Sequence, residues 1–225
     1  MILTKPSIEF LWATPNPLKA IEKAGRICYK SEDKITDTSS IEFVQKLIKR
    51  GHLAMIEHAS VSYRIICDRG ITHEIVRHRL FSFAQESTRY CNYSNGLQYI
   101  LPPWTDERLL PGDLKLNIET NCIEYNNGNI IELSSLNKET VIWLTACGQS
   151  KSHYINLIES GWTPQKARSV LIHSLKTEIV VTGNLRQWMG FFELRCSKAA
   201  HPQMQEVANM LISDIHQRIP IFIQD

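Results

Sequence analysis

The sequence lacks any apolar run long enough to cross a membrane, and it lacks a large excess of one charge. Charged or polar side chains interrupt every hydrophobic stretch of its 225 residues, whereas a membrane-spanning helix needs about 20 apolar residues. The formal net charge of +2 is too small for a general nucleic-acid binder. The first residues also lack the apolar core of a signal peptide. We therefore expect a soluble protein whose positive charge is concentrated locally.

Paired cysteines are missing as well. The six cysteines are scattered along the chain, and none forms a Cys-x-x-Cys pair or matches the spacing of a zinc site. Isolated thiols of this kind are typical of a reducing compartment, so we expect a cytoplasmic protein without a metal centre. Nucleophilic catalysis by Cys91 or Cys196 is an open alternative, although neither has the surroundings of an activated thiol.

What is present is the composition of a globular protein, with 43% hydrophobic and 21% charged residues. Apolar residues at helical spacing predict helices at about 17–29, 40–50, 138–160, 184–193 and 204–219. Asn16 is expected to cap the first of these helices, and Thr163-Pro164 is expected to start a further helix that carries Ala167, Arg168 and Leu171. Alternating or β-branched segments predict strands at 2–10, 59–67, 97–101 and 178–182. The polar stretch 104–137 is interpreted as an excursion with a hairpin around Asn126-Asn127-Gly128.

Helices and strands do not alternate regularly in this order, so a parallel βαβ sheet is disfavoured. We predict an α+β fold, a single domain over residues 1–225 with a mainly antiparallel sheet. Helices flank this sheet, and one of them is long.

One segment, residues 77–89, stands apart from this ordinary pattern. It begins with Arg77-His78-Arg79, continues through Phe81 and Phe83, and ends in a hydroxyl-rich turn with a guanidinium. The simplest interpretation places the basic residues in the last turn of a helix, where cations complement the helix dipole. However, adjacent positive groups repel one another unless an anion lies between them. The polar groups of residues 85–89 are those that bind phosphate, so the segment predicts two adjoining anion sites.

Arg77-His78-Arg79, followed after seven residues by Ser87, resembles the signature of the flavin-dependent thymidylate synthases. Further segments match the same family in order, and they are His52 to His58, Arg168, Asn184-Leu185-Arg186 and Arg195. The resemblance spans about residues 52–202. The chain departs from the family pattern where Met55 replaces a usual proline, Gly190 a frequent asparagine and Gln203 a commoner acid.

The resemblance implies a methyltransferase that converts dUMP to dTMP for de novo dTMP biosynthesis. It implies methylenetetrahydrofolate as the carbon donor and FAD, reduced by NADPH, as the hydride source. It also implies a homotetramer with active sites built from several subunits. No nucleic-acid or membrane partner is expected.

The resemblance assigns two overlapping sets of residues. The set implied to hold the flavin is His52, Glu57, Arg77, His78, Arg79, Gln85, Asn184, Arg186, Gly190 and His201. The set implied to hold dUMP is Glu74, Arg77, Gln85, Glu86, Ser87, Thr88, Arg89, Arg168 and Arg195.

Arg195 is the candidate catalytic residue, because a guanidinium against the pyrimidine would stabilise negative charge on the ring. It cannot be a conventional base, since arginine stays protonated. Ser87 is expected to bind rather than attack, because the sequence pairs it with no general base.

Two other functions stay open on the residues alone. A flavoprotein reductase with another acceptor would keep the flavin set, but it would not need Ser87, Arg89 and Arg168. An RNA-binding module would use Phe81 and Phe83 as a stacking platform beside the basic residues. The small net charge disfavours the RNA-binding module.

Overall fold

The structure is a computed structural model that describes residues 1–221. The chain divides into two compact units. Unit 1 comprises Met1–Pro6, Ile66–His73 and Gln85–Glu178, and unit 2 comprises Ser7–Ile65, Glu74–Ala84 and Ile179–Asp225. The predicted α+β class, with mostly antiparallel sheets and one long helix, is confirmed. That residues 1–225 act as one domain stays a prediction.

The helices are α1 Pro17–Ile27, α2 Ser39–Lys49, α3 Arg69–Ile75, α4 Lys138–Glu159, α5 Pro164–Ala167, α6 Leu185–Arg195 and α7 Pro202–Arg218. The strands are β1 Ile2–Thr4, β2 Ser7–Ala13, β3 Ser60–Asp68, β4 Ser82–Gln85, β5 Gln98–Ile100, β6 Gly112–Asn117, β7 Cys122–Tyr125, β8 Ile130–Glu132 and β9 Lys176–Asn184. Short 3₁₀ turns lie at Glu32–Lys34, Leu53–His58, Leu133–Ser135 and Arg168–Val170.

Unit 1 is built on a five-stranded sheet of order β5-β1-β6-β7-β8. Strand β1 runs parallel to β5 and antiparallel to β6, and β7 is antiparallel to both of its neighbours. The predicted hairpin is confirmed, because the Gly128 N–H donates to the carbonyl of Tyr125 between β7 and β8. The long helix α4 buries Leu144, Cys147 and Tyr154 in the core of this unit. The excursion at 104–137 therefore contributes strands to the sheet of unit 1.

The second sheet has four strands in the order β2-β3-β9-β4, and most residues of these strands belong to unit 2. Tyr63 on β3 and Trp188 on α6 are both fully buried, with ring centroids 5.7 Å apart. The Trp188 indole N–H donates to the Val61 carbonyl at 3.2 Å, which satisfies the only polar atom of this side chain. Burial of these aromatic rings holds α6 against β3.

Two predicted boundaries and one predicted cap are wrong. The strand expected at 2–10 is broken at Lys5 and Pro6, since proline has no N–H for a sheet ladder. The helix expected after Thr163 ends at Ala167 and passes into a 3₁₀ turn. Asn16 precedes α1 as expected, but it has a positive φ of 46° and makes no side-chain cap.

The expectation that Arg77 to Arg79 finish a helix is also wrong. Helix α3 ends at Ile75. Past that point the N–H of Arg77 donates to the Glu74 carbonyl at 3.2 Å, and that of His78 to the Ile75 carbonyl at 3.1 Å. These tighter turns leave Arg77 and Arg79 exposed, while His78 is half-buried.

Gly183 on β9 offers a test of the packing in unit 2. A Cβ at this position would clash with the Phe81 ring and would lie 2.7 Å from Gln187 Oε1. We expect Gly183→Ala to lower the free energy of unfolding by about 1–3 kcal/mol, because the close-packed ring has to move. Urea titration followed by circular dichroism measures this change.

Gly190 supplies the matched control, because a Cβ there meets nothing within 4 Å. Gly190→Ala lies inside α6 and should raise the free energy of unfolding by about 0.5–1 kcal/mol. Equal stability of the two variants would contradict this account of Gly183.

Candidate functional site

A cavity of about 510 Å³ opens in unit 2, a size typical of small-molecule and cofactor sites. Its lining consists of Glu57, His78, Arg79, Leu80, Phe81, Asn184, Arg186, Gln187, Gly190, Phe191 and Leu194. Six of these residues belong to the predicted flavin set. The lining combines an aromatic and aliphatic wall with cationic and amide groups, so it can receive a flat ring system that carries anionic groups.

The polar side of the cavity is positioned by the start of α6. Asn184 is the N-cap, and its side-chain oxygen accepts from the Gln187 N–H at 2.9 Å. In return the Gln187 side chain accepts from the Asn184 N–H, also at 2.9 Å, which completes a capping box. Because residues four apart share a helix face, this start places Arg186 and Gly190 on the same side of α6.

The apolar wall is a cluster of aromatic rings. Phe81 is 7% exposed and lies edge-on to Trp188, with ring centroids 4.8 Å apart. The His78 imidazole lies 4.9 Å from the Phe191 ring. With so little of its ring exposed, Phe81 is poorly placed for the stacking platform considered for RNA binding.

Arg186 forms an ion pair across the cavity lining. Its Nη1 donates to Glu57 Oε1 at 2.6 Å, and Glu57 is held on the 3₁₀ turn Leu53–His58. The two side chains are 48% and 45% exposed, and an exposed pair of this kind contributes little to stability. The guanidinium can consequently turn to an anionic ligand at small cost.

Arg195, the last residue of α6, is anchored at all three of its nitrogens. Nε donates to His78 Nε2 at 2.9 Å, Nη1 donates to Glu74 Oε2 at 2.8 Å, and Nη2 donates to the Glu74 carbonyl at 3.3 Å. The side chain of Arg195 is 20% exposed. Its guanidinium is thus held in one orientation before any ligand arrives.

The contact with Arg195 requires His78 to be neutral, because only an unprotonated Nε2 can accept a hydrogen bond. Burial lowers the pKa of His78 below its ordinary value, and the positive charge of Arg195 lowers it further. The contact therefore carries one positive charge, and it resides on Arg195.

A second group of predicted residues gathers in unit 1. Arg168 Nη1 donates to Thr88 Oγ1 at 3.3 Å, and Arg89 Nε donates to Gln165 Oε1 at 3.0 Å. The Arg89 N–H donates to Ser87 Oγ at 3.3 Å. Within residues 1–221, no acidic side chain forms an ion pair with Arg89 or Arg168. Two cations and two hydroxyls without a counter-ion are a suitable set for a phosphate.

Gln85 and Glu86 make contacts inside unit 1. Gln85 Nε2 donates to Thr72 Oγ1 at 2.9 Å, and Glu86 Oε1 accepts from Tyr93 Oη at 2.8 Å. Burial raises the pKa of Tyr93, and the hydrogen bond to Glu86 raises it further. Lys176 Nζ lies 3.7 Å from the second Glu86 oxygen. These contacts shape the segment that leads to Ser87.

Comparison with known proteins identifies the family of the chain that carries these two groups of residues. A family model described as "Thymidylate synthase complementing protein" matches residues 9–221. The chain belongs to this family.

Proteins named flavin-dependent thymidylate synthase are similar to the chain over most of its length. The Mycobacterium sp. (strain JLS) protein is 31% identical over 209 residues, which cover 91% of this chain and 78% of the relative. The Geobacter sulfurreducens protein is 27% identical over 226 residues, covering 97% and 85%. The Clostridium tetani protein is 28% identical over 225 residues, covering 95% and 83%. The family predicted from the sequence is confirmed.

For this member of the family, the predicted residues separate into the two units. The cavity of unit 2 brings together Glu57, His78, Arg79, Asn184, Arg186 and Gly190. His52, Arg77 and His201 lie outside its lining. Residues 85–89 and Arg168 belong to unit 1. The ligand roles of all of these residues stay predictions.

Four contact residues were not identified from the sequence, and they are Gln165, Lys176, Tyr93 and Gln187. Of these, Gln187 carried a usable signal, since Asn-x-x-Gln before an apolar run indicates a capping box. The other three act through contacts between residues distant in sequence, which no local pattern reveals.

In residues 1–221, no three or more histidine, cysteine or acidic side chains are grouped so that they could hold a metal ion. No helix in that range is long and apolar enough to cross a membrane.

The neutral state of His78 beside Arg195 can be tested by NMR titration of the histidine ring protons. We expect the titration midpoint of the His78 ring to lie below about 6.5. Arg195→Met should raise this midpoint toward the ordinary histidine value without reaching it, since the ring stays buried. Because the folded-state pKa is lowered, the unfolded chain binds more protons below that pH. The free energy of unfolding should therefore fall as the pH drops below about 6.5. An unchanged midpoint in Arg195→Met would contradict the contact.

Proposed function

We propose that this protein is a flavin-dependent thymidylate synthase that methylates dUMP to dTMP. Methylenetetrahydrofolate is the one-carbon donor, and FAD reduced by NADPH is the hydride source. One observation carries the proposal, namely that six residues of the predicted flavin set line a cavity, while Arg89 and Arg168 form no ion pair with an acidic side chain in residues 1–221. We also propose that the enzyme is cytoplasmic and assembles as a homotetramer.

The cavity residues fit a flavin dinucleotide in their chemistry. Arg79 and Arg186 offer guanidinium groups suited to a diphosphate. Phe191 and Leu194 offer an apolar surface suited to a flat ring system, and the space beside Gly190 is open. When bound, the flavin would supply hydride, because cofactors carry such redox chemistry while the protein orients and polarises.

The nucleotide phosphate is assigned to Arg89 and Arg168, with the hydroxyls of Ser87 and Thr88. Thr88 is 4% exposed and is already hydrogen-bonded to Arg168. Ser87 Oγ accepts from a backbone N–H, and no general base contacts it among the described residues. Ser87 therefore binds the phosphate and does not attack the substrate.

Arg195 is assigned to activation of the pyrimidine. A fixed guanidinium against the ring stabilises negative charge there, and that charge makes C5 nucleophilic toward the methylene donor. Because its three anchors hold Arg195 before binding, little reorganisation is needed. A cysteine nucleophile is disfavoured at Cys196, since burial raises the pKa of its thiol and keeps it protonated.

Replacement of Arg79 tests the flavin assignment. We expect Arg79→Ala to purify with its flavin largely lost, because a charge-assisted contact contributes about 1.5–3 kcal/mol. The visible absorption spectrum of the purified protein measures flavin content. Lys49→Ala, which removes an exposed cation from α2 of the same unit, should stay yellow. A fully yellow Arg79→Ala protein would remove Arg79 from the flavin site, and a colourless wild type would count against the whole proposal.

Replacement of Arg195 and replacement of Arg168 should impair the enzyme in different ways. Arg195→Ala should abolish dTMP formation while NADPH still reduces the bound flavin, since it removes charge stabilisation in the transition state. Arg168→Ala should raise KM for dUMP. Because deoxyuridine has no phosphate, the variant should also prefer dUMP over deoxyuridine less strongly than wild type does. Flavin reduction, dUMP titration and deoxyuridine titration measure these effects.

Lys166→Ala is the control for Arg168, because it removes a neighbouring exposed cation from α5. It should leave KM unchanged. Loss of turnover at saturating dUMP in Arg168→Ala, with turnover kept in Arg195→Ala, would show that the two roles are exchanged.

A further inference from the structure

We propose that Glu74 is a positioning residue for Arg195, and that its carboxylate sets the acidity of a pyrimidine ring bound against that arginine. This inference rests on the proposed function, because it takes Arg195 as the residue that meets the ring. It assigns to Glu74 a new role, in which Glu74 acts through the arginine rather than by holding the nucleotide.

Glu74 supplies two of the three anchors of Arg195. Its side-chain oxygen accepts from Nη1 at 2.8 Å, and its carbonyl, in the last turn of α3, accepts from Nη2 at 3.3 Å. The third anchor is His78, which accepts from Nε. A guanidinium has five N–H donors, so one donor on each terminal nitrogen is left for a ligand. Glu74 thereby selects which edge of Arg195 faces the substrate.

The carboxylate also changes the electrostatic effect of Arg195. An ion pair at 2.8 Å offsets part of the positive field that the guanidinium exerts on a bound ring. The side chains of Arg195 and Glu74 are 20% and 37% exposed, so solvent screens them less than a fully exposed pair. A ring anion beside this pair is attracted by the guanidinium and repelled by the carboxylate. Glu74 therefore opposes ring ionisation, although it orients the group that promotes it.

The other titratable group in contact with Arg195 is His78. Burial and the charge of Arg195 both lower the pKa of His78, so its imidazole is neutral at and above neutral pH. A titration from neutral to alkaline pH therefore reports on the ring rather than on His78. The Glu74 carbonyl also accepts from the Arg77 N–H at 3.2 Å, a backbone contact that carries no titratable charge.

Substitutions at Glu74 can separate its charge from its hydrogen bond. Glu74→Gln keeps an acceptor of the same reach and removes the charge, and Glu74→Asn is a second neutral variant with a shorter reach. Glu74→Asp keeps the charge with the shorter reach. Glu42→Gln is the matched control, because it removes one carboxylate from an exposed pair with Lys46 in the same unit. Circular dichroism checks that each variant is folded.

The probe is 5-fluoro-dUMP, whose ring N–H is more acidic than that of dUMP and whose ultraviolet spectrum changes on ionisation. The bound nucleotide is titrated from neutral to alkaline pH, and the ionisation midpoint is read from difference spectra. We expect Glu74→Gln and Glu74→Asn to lower the midpoint by about one pH unit or more, because a neighbouring like charge is removed. The Glu74→Asp variant should bind 5-fluoro-dUMP more weakly, with an ionisation midpoint near that of wild type. The Glu42→Gln variant should match wild type in both.

Two results would overturn the inference. The first is a midpoint that stays or rises in the neutral variants, and the second is a midpoint that falls as far in Glu74→Asp as in Glu74→Gln. Failure of the proposed function gives a different result, since wild type would then bind no pyrimidine nucleotide at any pH. A wild type that forms dTMP, with no shift in the Glu74 variants, would remove this inference alone.

Discussion

The capping box between Asn184 and Gln187 is the interaction on which the polar side of the cavity depends. It fixes where α6 begins, and the helical repeat then decides the positions of Arg186, Gly190 and Arg195. Burial of Trp188 holds the same helix against β3. Local hydrogen bonding therefore sets the start of α6, while aromatic packing prevents its rotation. Guanidinium groups that must meet a ligand in one orientation need both constraints.

The cations are compensated differently in the two units, and the difference indicates what each group can do. In unit 2, Arg186 pairs with Glu57, and Arg195 pairs with Glu74 beside a neutral imidazole. In unit 1, Arg89 and Arg168 contact only neutral groups among the described residues. The fixed and partly offset guanidinium of Arg195 suits a ring whose charge develops during reaction, whereas the uncompensated guanidinium groups of Arg89 and Arg168 suit a ligand that is already anionic, such as a phosphate monoester.

Elements defined by local signals were predictable from the sequence. The long helix was predicted from apolar residues at helical spacing, and local groups close both of its ends, since Asn137 caps its start and Gly161, with a φ of 90°, follows its end. The end of α3 was not predictable in this way, since no glycine or proline marks it. Instead, the Glu74 carbonyl accepts from Arg195, and the His78 ring packs against Phe191. Both partners lie more than a hundred residues away in sequence, so tertiary contacts overrode the local pattern.

The same reasoning applies to the candidate site. Its residue types and their order were recognisable, because motif spacing is a property of the sequence. The pairing of Arg195 with Glu74 and His78 was not recognisable, and this pairing gives the arginine its chemistry. An isolated arginine at the end of a helix would only complement the helix dipole. Held by a carboxylate, a carbonyl and a neutral imidazole, Arg195 becomes an oriented cation whose charge is partly offset. Arg195 can therefore stabilise a developing ring anion without holding the neutral substrate equally tightly, and stabilisation that grows along the reaction is what lowers a barrier.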